Sequence, residues 1–170
     1  MTDRNDDGAA GALPSGRFEG RVAFQQLLRD ALATAAREGW RELILCDADF
    51  ADWPLGERTV AESLHAWSES GRRMVLLARR WDEVPRRHAR FVEWRRTWAH
   101  IIEAYGCASA DPLELPSALW SPAWVLERRD PLRCNGFCGP EPERRVQLQE
   151  TLQEWLRKSS VAFPATTLGL

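Results

Sequence analysis

Two aspartates separated by one residue follow a short apolar segment and are the first candidates for chemistry. Asp47 and Asp49 come directly after the apolar residues 43–46, and Asp52 lies three positions further on. In α/β proteins, ligands bind at the carboxyl ends of parallel strands. Two carboxylates there could hold Mg²⁺, or one could attack a phosphoryl group. We favour the alternative that these aspartates cap turns and helix starts.

The Asp-Ala-Asp motif resembles the first motif of the haloacid dehalogenase-like phosphohydrolases. That family also requires a serine or threonine at the end of a later strand, a lysine and a downstream acidic pair. Here the second apolar run, residues 74–78, is followed by Arg79 and Arg80, and the only lysine is Lys158, near the end of the last predicted helix. A Mg²⁺-dependent phosphohydrolase that uses Asp47 and Asp49 is therefore our alternative hypothesis.

The most basic part of the chain is residues 79–96, which contain seven arginines and three acidic residues. Arginine forks bind phosphate, and tryptophan rings stack on bases. A charge run more often forms a solvated helix face. We expect these arginines to pair with Asp47 and Asp49, with at most weak contact to phosphate or nucleic acid. The candidate ligand-binding residues are Arg79, Arg80, Arg86, Arg87, Arg90 and His88.

The cysteines do not form a metal-binding pattern. Cys134 and Cys138 are separated by three residues, but a structural zinc site needs four ligands, and the nearest histidine, His100, lies 34 residues upstream of Cys134. Cys46 and Cys107 lie in or beside apolar runs and are predicted to be core residues. We expect reduced thiols, no metal and no cofactor.

Length and composition indicate one globular domain. A chain of 170 residues can bury its own core without a metal or disulfide. The net charge of −2 argues against a dedicated nucleic-acid or membrane-surface protein, and no apolar run approaches the roughly 20 residues of a spanning helix. We therefore expect a cytoplasmic protein. Nine tryptophans are spread over all predicted elements, which favours core packing over one binding platform.

Hydrophobic periodicity predicts an α/β domain at residues 18–170 after a disordered tail at residues 1–17. The predicted helices are residues 21–38, 57–70, 85–99 and 143–159, and the predicted strands are residues 42–46, 73–78, 101–104, 124–127 and 133–137. Because strands alternate with helices, we expect a layered domain with a mixed, mostly parallel sheet flanked by helices. The apolar C-terminal residues 163–170 are expected to dock on it.

This element order, with the segments LILCDADF, RMVLLARR, RHARFVEWRRTW and WVLERRDP, resembles one half of a phospholipase D superfamily domain. It is most similar to the degenerate, uncharacterised bacterial branch. Active members carry H-x-K-x-x-x-x-D, in which the histidine attacks phosphorus and the lysine clamps phosphate oxygens. In the best register, which ends at Asp130, Ala123 and Val125 stand at the histidine and lysine positions.

The resemblance therefore implies the fold without the family's chemistry. It implies a domain that acts by binding or assembly, with phosphate-bearing ligands as candidates. Because active relatives join two halves around one site, the single half in this chain also implies a homodimer.

Overall fold

A single eight-stranded sheet runs through the protein, with helices on both of its faces. The structure, a computed structural model, describes residues 12–165. The strands are β1 (Gly16–Phe18), β2 (Glu42–Asp47), β3 (Arg73–Ala78), β4 (Ile102–Gly106), β5 (Ser117–Trp120), β6 (Val125–Asp130), β7 (Asn135–Gly139) and β8 (Ser160–Val161). The helices are α1 (Arg21–Glu38), α2 (Arg58–Ser68), α3 (Glu83–Arg87), α4 (Ala89–Thr97) and α5 (Pro142–Arg157), and a 3-10 turn spans Ala99–Ile101.

The sheet is mixed, and its strand order is β1-β7-β6-β5-β2-β3-β4-β8. Strands β2, β3 and β4 are parallel, as the alternation of strands and helices predicted. The expectation of a mostly parallel sheet is not confirmed, because only two of the seven strand pairings among residues 12–165 are parallel. The sequence analysis had missed the short strands β1, β5 and β8, and all three pair antiparallel.

Both ends of the described chain are in contact with the domain. Gly16 and Arg17, which the sequence analysis assigned to the disordered tail, pair with β7 through β1. Phe163 stacks on Trp81 with 4.5 Å between the ring centroids. The predictions for residues 1–11 and 166–170 lie outside the described residues.

Side chains that alternate along the strands pack into two separate cores, one on each face of the sheet. On β2, Leu43 and Leu45 enter the larger core beneath α1, α2 and α4, whereas Ile44 and Cys46 enter the smaller core beneath α5. Tryptophans serve as core residues, as predicted, and Trp53, Trp67 and Trp94 are at most 1% exposed. No helix in this part of the chain combines the length and apolarity required to span a membrane.

The predicted helix at residues 85–99 is two helices, because the backbone leaves helical geometry at His88 (φ −130°, ψ 59°). The imidazole of His88 is buried, and its Nε2 donates a hydrogen bond to the carbonyl oxygen of Phe50 at 2.8 Å. This bond to a loop 38 residues away accompanies the break between α3 and α4, and apolar periodicity could not reveal it.

Gly136 allows β7 to approach the bulged part of β6. The register of β6 against β7 shifts between Arg128 and Asp130, and Gly136 lies opposite Arg128. A Cβ at Gly136 would overlap the carbonyl oxygen of Glu127 and lie 2.9 Å from the Cα of Arg128.

We expect Gly136→Ala to destabilise the fold by about 1–3 kcal/mol or more, because the clash is with backbone atoms that cannot rotate away. Urea unfolding measures this loss. Asn135→Ala, on the neighbouring strand residue, is the control and should change the free energy of unfolding by less than about 0.5 kcal/mol. Equal stability of the two variants would contradict the prediction.

Candidate functional site at the carboxyl ends of the strands

Asp47, the last residue of β2, has both carboxylate oxygens bound and is 2% exposed. Oδ1 accepts a hydrogen bond from Nη2 of Arg128 at 3.0 Å. Oδ2 accepts from the backbone N–H groups of Asp49 at 3.1 Å and Phe50 at 2.8 Å. These bonds close the turn after β2, in which Phe50 adopts a left-handed φ of 61°. Asp47 therefore holds a turn and has no oxygen facing solvent.

Arg128 reaches Asp47 from two strands away. Arg128 lies opposite Ser117 of β5, and its Nε donates to Ser117 Oγ at 3.1 Å. Strand β5 in turn pairs with β2, the strand that ends at Asp47. Its Nη1 donates to Asp52 Oδ2 at 3.0 Å and also lies 3.2 Å from Cys134 Sγ. Each of the three guanidinium nitrogens therefore has at least one hydrogen-bond partner, and the side chain is only 4% exposed.

Phe24 of α1 covers this guanidinium group, with 4.5 Å between the Arg128 guanidinium carbon and the ring centroid. Burial lowers the pKa of Arg128, but the charge of Asp47 and the hydrogen bonds to Cys134 and Asp52 outweigh it, so the pKa is raised overall. The guanidinium group thus stays charged inside the protein because acidic partners surround it.

Asp52 is shared between two arginines. Besides Arg128, Arg21 of α1 donates from Nη2 to Oδ1 of Asp52 at 2.6 Å, and Gln25 holds the Asp52 backbone carbonyl at 2.8 Å. Burial raises the pKa of Asp52, but the hydrogen bonds from Arg128 and Arg21 lower it by more. The pKa of Asp52 therefore lies below its ordinary value. Asp52 joins α1 to the strand ends.

The second aspartate of the motif is also a turn residue. Asp49 Oδ1 accepts the backbone N–H of Ala51 at 2.9 Å. Within residues 12–165, no three histidine, cysteine, aspartate or glutamate side chains form a group that could hold a metal ion. Lys158 packs over the ring of Trp155 on α5, 5.0 Å from its centroid. The hydrogen bonds at Asp47 and Asp49 are those of the turn residues that we favoured.

The predicted pairing of the basic segment with Asp47 is wrong, and its pairing with Asp49 is limited to a minor electrostatic interaction with Arg87. Arg86 and Arg87 instead bind Glu83, at 3.4 and 2.6 Å. Arg128 of β6 binds Asp47. Arg86, Arg87 and Arg90 of α3 and α4 are exposed, whereas Arg95 of α4 is buried.

The remaining candidates of the basic segment have different partners. Arg90 donates to the carbonyl of Gly56 at 2.9 Å, and Arg79 donates to that of Ala110 at 2.7 Å. Arg80 is exposed. Burial lowers the pKa of His88, whose Nδ1 is buried without a partner among the described residues.

The motif positions taken from the phospholipase D resemblance have structural contacts. The backbone N–H of Ala123 donates to Ser121 Oγ at 3.2 Å, and Val125 is buried in the smaller core. Asp130 Oδ1 accepts the backbone N–H groups of Leu132 and Arg133, at 3.0 and 3.1 Å, and so closes the β6–β7 turn.

The sequence analysis missed the two buried arginines. Arg128 follows the alternation of β6, in which Leu126 faces the larger core, and this alternation could have revealed a core-facing arginine. Arg95 on α4 is 7% exposed, and its Nε and Nη1 have no hydrogen-bond partner among the described residues. Burial lowers the pKa of Arg95.

Comparisons with known proteins add information on the fold. No protein-family model matches the sequence, and no curated protein matches it at a significant level. Among solved structures, one similar fold is that of TrmBL2, described as an archaeal chromatin protein with a novel mode of DNA binding. Its TM-score is 0.64 at 13% identity, and the likeness covers 89% of this chain and 55% of the TrmBL2 chain.

That likeness shows the fold alone, and this chain spans about half the length of TrmBL2. What the structure defines is therefore a class: an α/β domain with a mixed sheet flanked by helices.

We expect Arg128→Met to destabilise the protein by about 3–5 kcal/mol, because it leaves the buried carboxylate of Asp47 without its cation. The matched control is Arg95→Met, which removes a buried arginine that has no carboxylate partner among residues 12–165 and should be neutral or stabilising. Chemical denaturation of both variants measures the difference. A cost at Arg95 as large as that at Arg128 would contradict this account.

The low pKa of Asp52 predicts a specific acid sensitivity. In the unfolded chain an aspartate has a pKa of about 3.9, whereas the pKa of Asp52 in the folded protein is lower. The stabilisation that ionised Asp52 contributes is therefore present above about pH 4, and it is lost as the pH falls through the folded-state pKa of Asp52. The difference in unfolding free energy between wild type and Asp52→Asn should therefore be smaller at about pH 3 than at about pH 6. A difference independent of pH, measured by urea unfolding, would refute this role.

Proposed function

We propose that this chain is a non-catalytic phospholipase D-like domain that acts by binding a phosphate-bearing ligand. The observation that carries the proposal is the state of Asp47, whose two oxygens are bound by Arg128 and by the turn after β2. A nucleophile or metal ligand needs a free oxygen that faces the substrate. The alternative of a phosphohydrolase loses its main residue for this reason.

The exposed arginines of α3 and α4 are the surface that we propose for the ligand. The side chains of Arg86 and Arg87 are 74% and 57% exposed, and they share the single carboxylate of Glu83. Arg80 and Arg90 add two further exposed guanidinium groups. Glu83 is the carboxylate that binds Arg86 and Arg87 directly, whereas Asp49 and Asp52 act on Arg87 only through their charge. A phosphate would add charge-assisted hydrogen bonds to these guanidinium groups.

Nucleic acid is the first ligand to test. The structural neighbour TrmBL2 is described as binding DNA, and a nucleic-acid backbone presents phosphates at regular spacing. The homodimer implied by the phospholipase D resemblance remains part of this proposal, as assembly of two halves.

We expect the double variant Arg86→Ala/Arg90→Ala to weaken binding of a labelled single-stranded oligonucleotide. Each lost phosphate contact should flatten the slope of log affinity against log salt by about 0.7, so the pair should flatten it by about 1.4. Fluorescence anisotropy at several salt concentrations gives this slope. The matched control is Arg58→Ala/Arg157→Ala, which removes two exposed arginines outside the basic segment, each paired with one glutamate on its own helix.

Two results would contradict the proposal. The first is equal binding by wild type and the basic-segment variant. The second is Mg²⁺-dependent turnover of p-nitrophenyl phosphate that is lost in Asp49→Asn, a variant that removes the charge of Asp49 but keeps an Oδ1 acceptor for the backbone N–H of Ala51.

A further inference from the structure

The face of the sheet that carries α5 has an aromatic ring beside the helix. Helix α5 packs mainly on β5 and β6. On the neighbouring strand β7, Phe137 lies directly opposite Glu127 of β6 and Arg17 of β1. Residues directly opposite each other project from the same face of a sheet. Phe137 is partly buried and does not belong to either core.

Three arginines from different elements surround this ring. The guanidinium carbons of Arg17 (β1), Arg129 (β6) and Arg144 (α5) lie 5.5, 5.1 and 4.6 Å from the centroid of Phe137. These are cation–π distances. The three cations repel one another, and the ion pairs of Arg129 with Glu127 and of Arg144 with Glu141 offset part of this repulsion. An anion bound among the three would offset the remainder.

Within the part of the chain that the structure describes, the guanidinium groups of these arginines make two long ion pairs but no hydrogen bonds. Among residues 12–165, no side chain or carbonyl accepts a hydrogen bond from Arg17, Arg129 or Arg144. Glu127 lies 3.5 Å from Nη2 of Arg129, and Glu141 lies 3.8 Å from Nε of Arg144. A guanidinium group has five N–H donors in a planar fork, so each of the three can receive an oxyanion from solvent.

Two adjoining clefts meet at Phe137 and Arg129. One, of about 120 Å³, runs between the sheet and α5 past Gln147 and Thr151. The other, of about 370 Å³, runs over β1 past Arg17, with Glu19 also on its wall. A ligand that occupies both clefts must pass the ring and the arginines in succession.

We propose that this face, formed by Arg17, Arg129, Phe137 and Arg144, binds single-stranded nucleic acid. Backbone phosphates accept hydrogen bonds from the arginines, and a base stacks on the platform of Phe137 and its guanidinium groups. Two successive clefts fit a strand rather than one nucleotide, and a duplex would keep its bases out of reach of the ring. The surface lies on the opposite side of the sheet from α3 and α4, so it does not depend on the basic segment.

The test uses fluorescence anisotropy of a labelled single-stranded oligonucleotide with the full chain. Phe137→Leu keeps an apolar side chain but removes the aromatic platform, and we expect it to weaken binding by roughly 5- to 100-fold. Arg129→Ala removes one phosphate contact and should flatten the salt slope by about 0.7. Arg58→Ala is the charge-matched control and should bind like wild type. Circular dichroism and thermal melting confirm that each variant is folded.

The outcomes separate this surface from the basic segment. Binding that is lost in Arg86→Ala/Arg90→Ala but kept in Phe137→Leu and Arg129→Ala overturns the present proposal and leaves the proposed function standing. Loss in Phe137→Leu and Arg129→Ala alone supports the present proposal. No binding by wild type at low salt also overturns it. Competition by a mononucleotide as strong as that by the oligonucleotide, or tighter binding of a duplex, would contradict a single-stranded ligand.

Discussion

The buried guanidinium group of Arg128 is the interaction on which the rest of the strand-end structure depends. A charge at 4% exposure must be neutralised within the protein, and Asp47 and Asp52 do so from β2 and from the loop after it. Ser117 of β5 accepts a hydrogen bond from Nε of Arg128, and the ring of Phe24 covers the guanidinium group from α1. One side chain therefore joins three strands, a loop and a helix.

This network also limits what the site can do. The hydrogen bonds from Arg128 and from the turn after β2 occupy both carboxylate oxygens of Asp47. A nucleophile or a metal ligand needs a free oxygen, so the bonds that stabilise the fold here prevent Asp47 from doing chemistry. Arg95 is the opposite case, a buried arginine with no carboxylate partner among the described residues. Burial alone thus does not identify a functional arginine, because its partners decide whether the charge stabilises the fold or costs free energy.

The sequence allowed prediction where a pattern is local. The apolar runs of β2 and β3 and the period of α1 predicted those elements closely, because their core faces follow from side-chain spacing. The break at His88 depends on the carbonyl of Phe50, which no local pattern contains. The pairing of Asp47 with Arg128 spans 81 residues and requires the antiparallel strands β5 and β6, of which β5 was missed.

The surface arginines differ in a way that their sequence positions do not show. Arg73 is half exposed, yet it donates three hydrogen bonds to Glu103 and Glu42 at 2.7–3.2 Å, and the bond to Glu103 is the main cause that raises its pKa. Of the three arginines around Phe137, Arg129 and Arg144 have carboxylates only at 3.5 and 3.8 Å, and both lie against the ring. The net charge of −2 does not distinguish arginines that are paired with carboxylates from arginines whose donors are free. Arginines whose donors are satisfied stabilise the sheet edge, whereas those stacked on a ring with free donors are arranged to receive an anion.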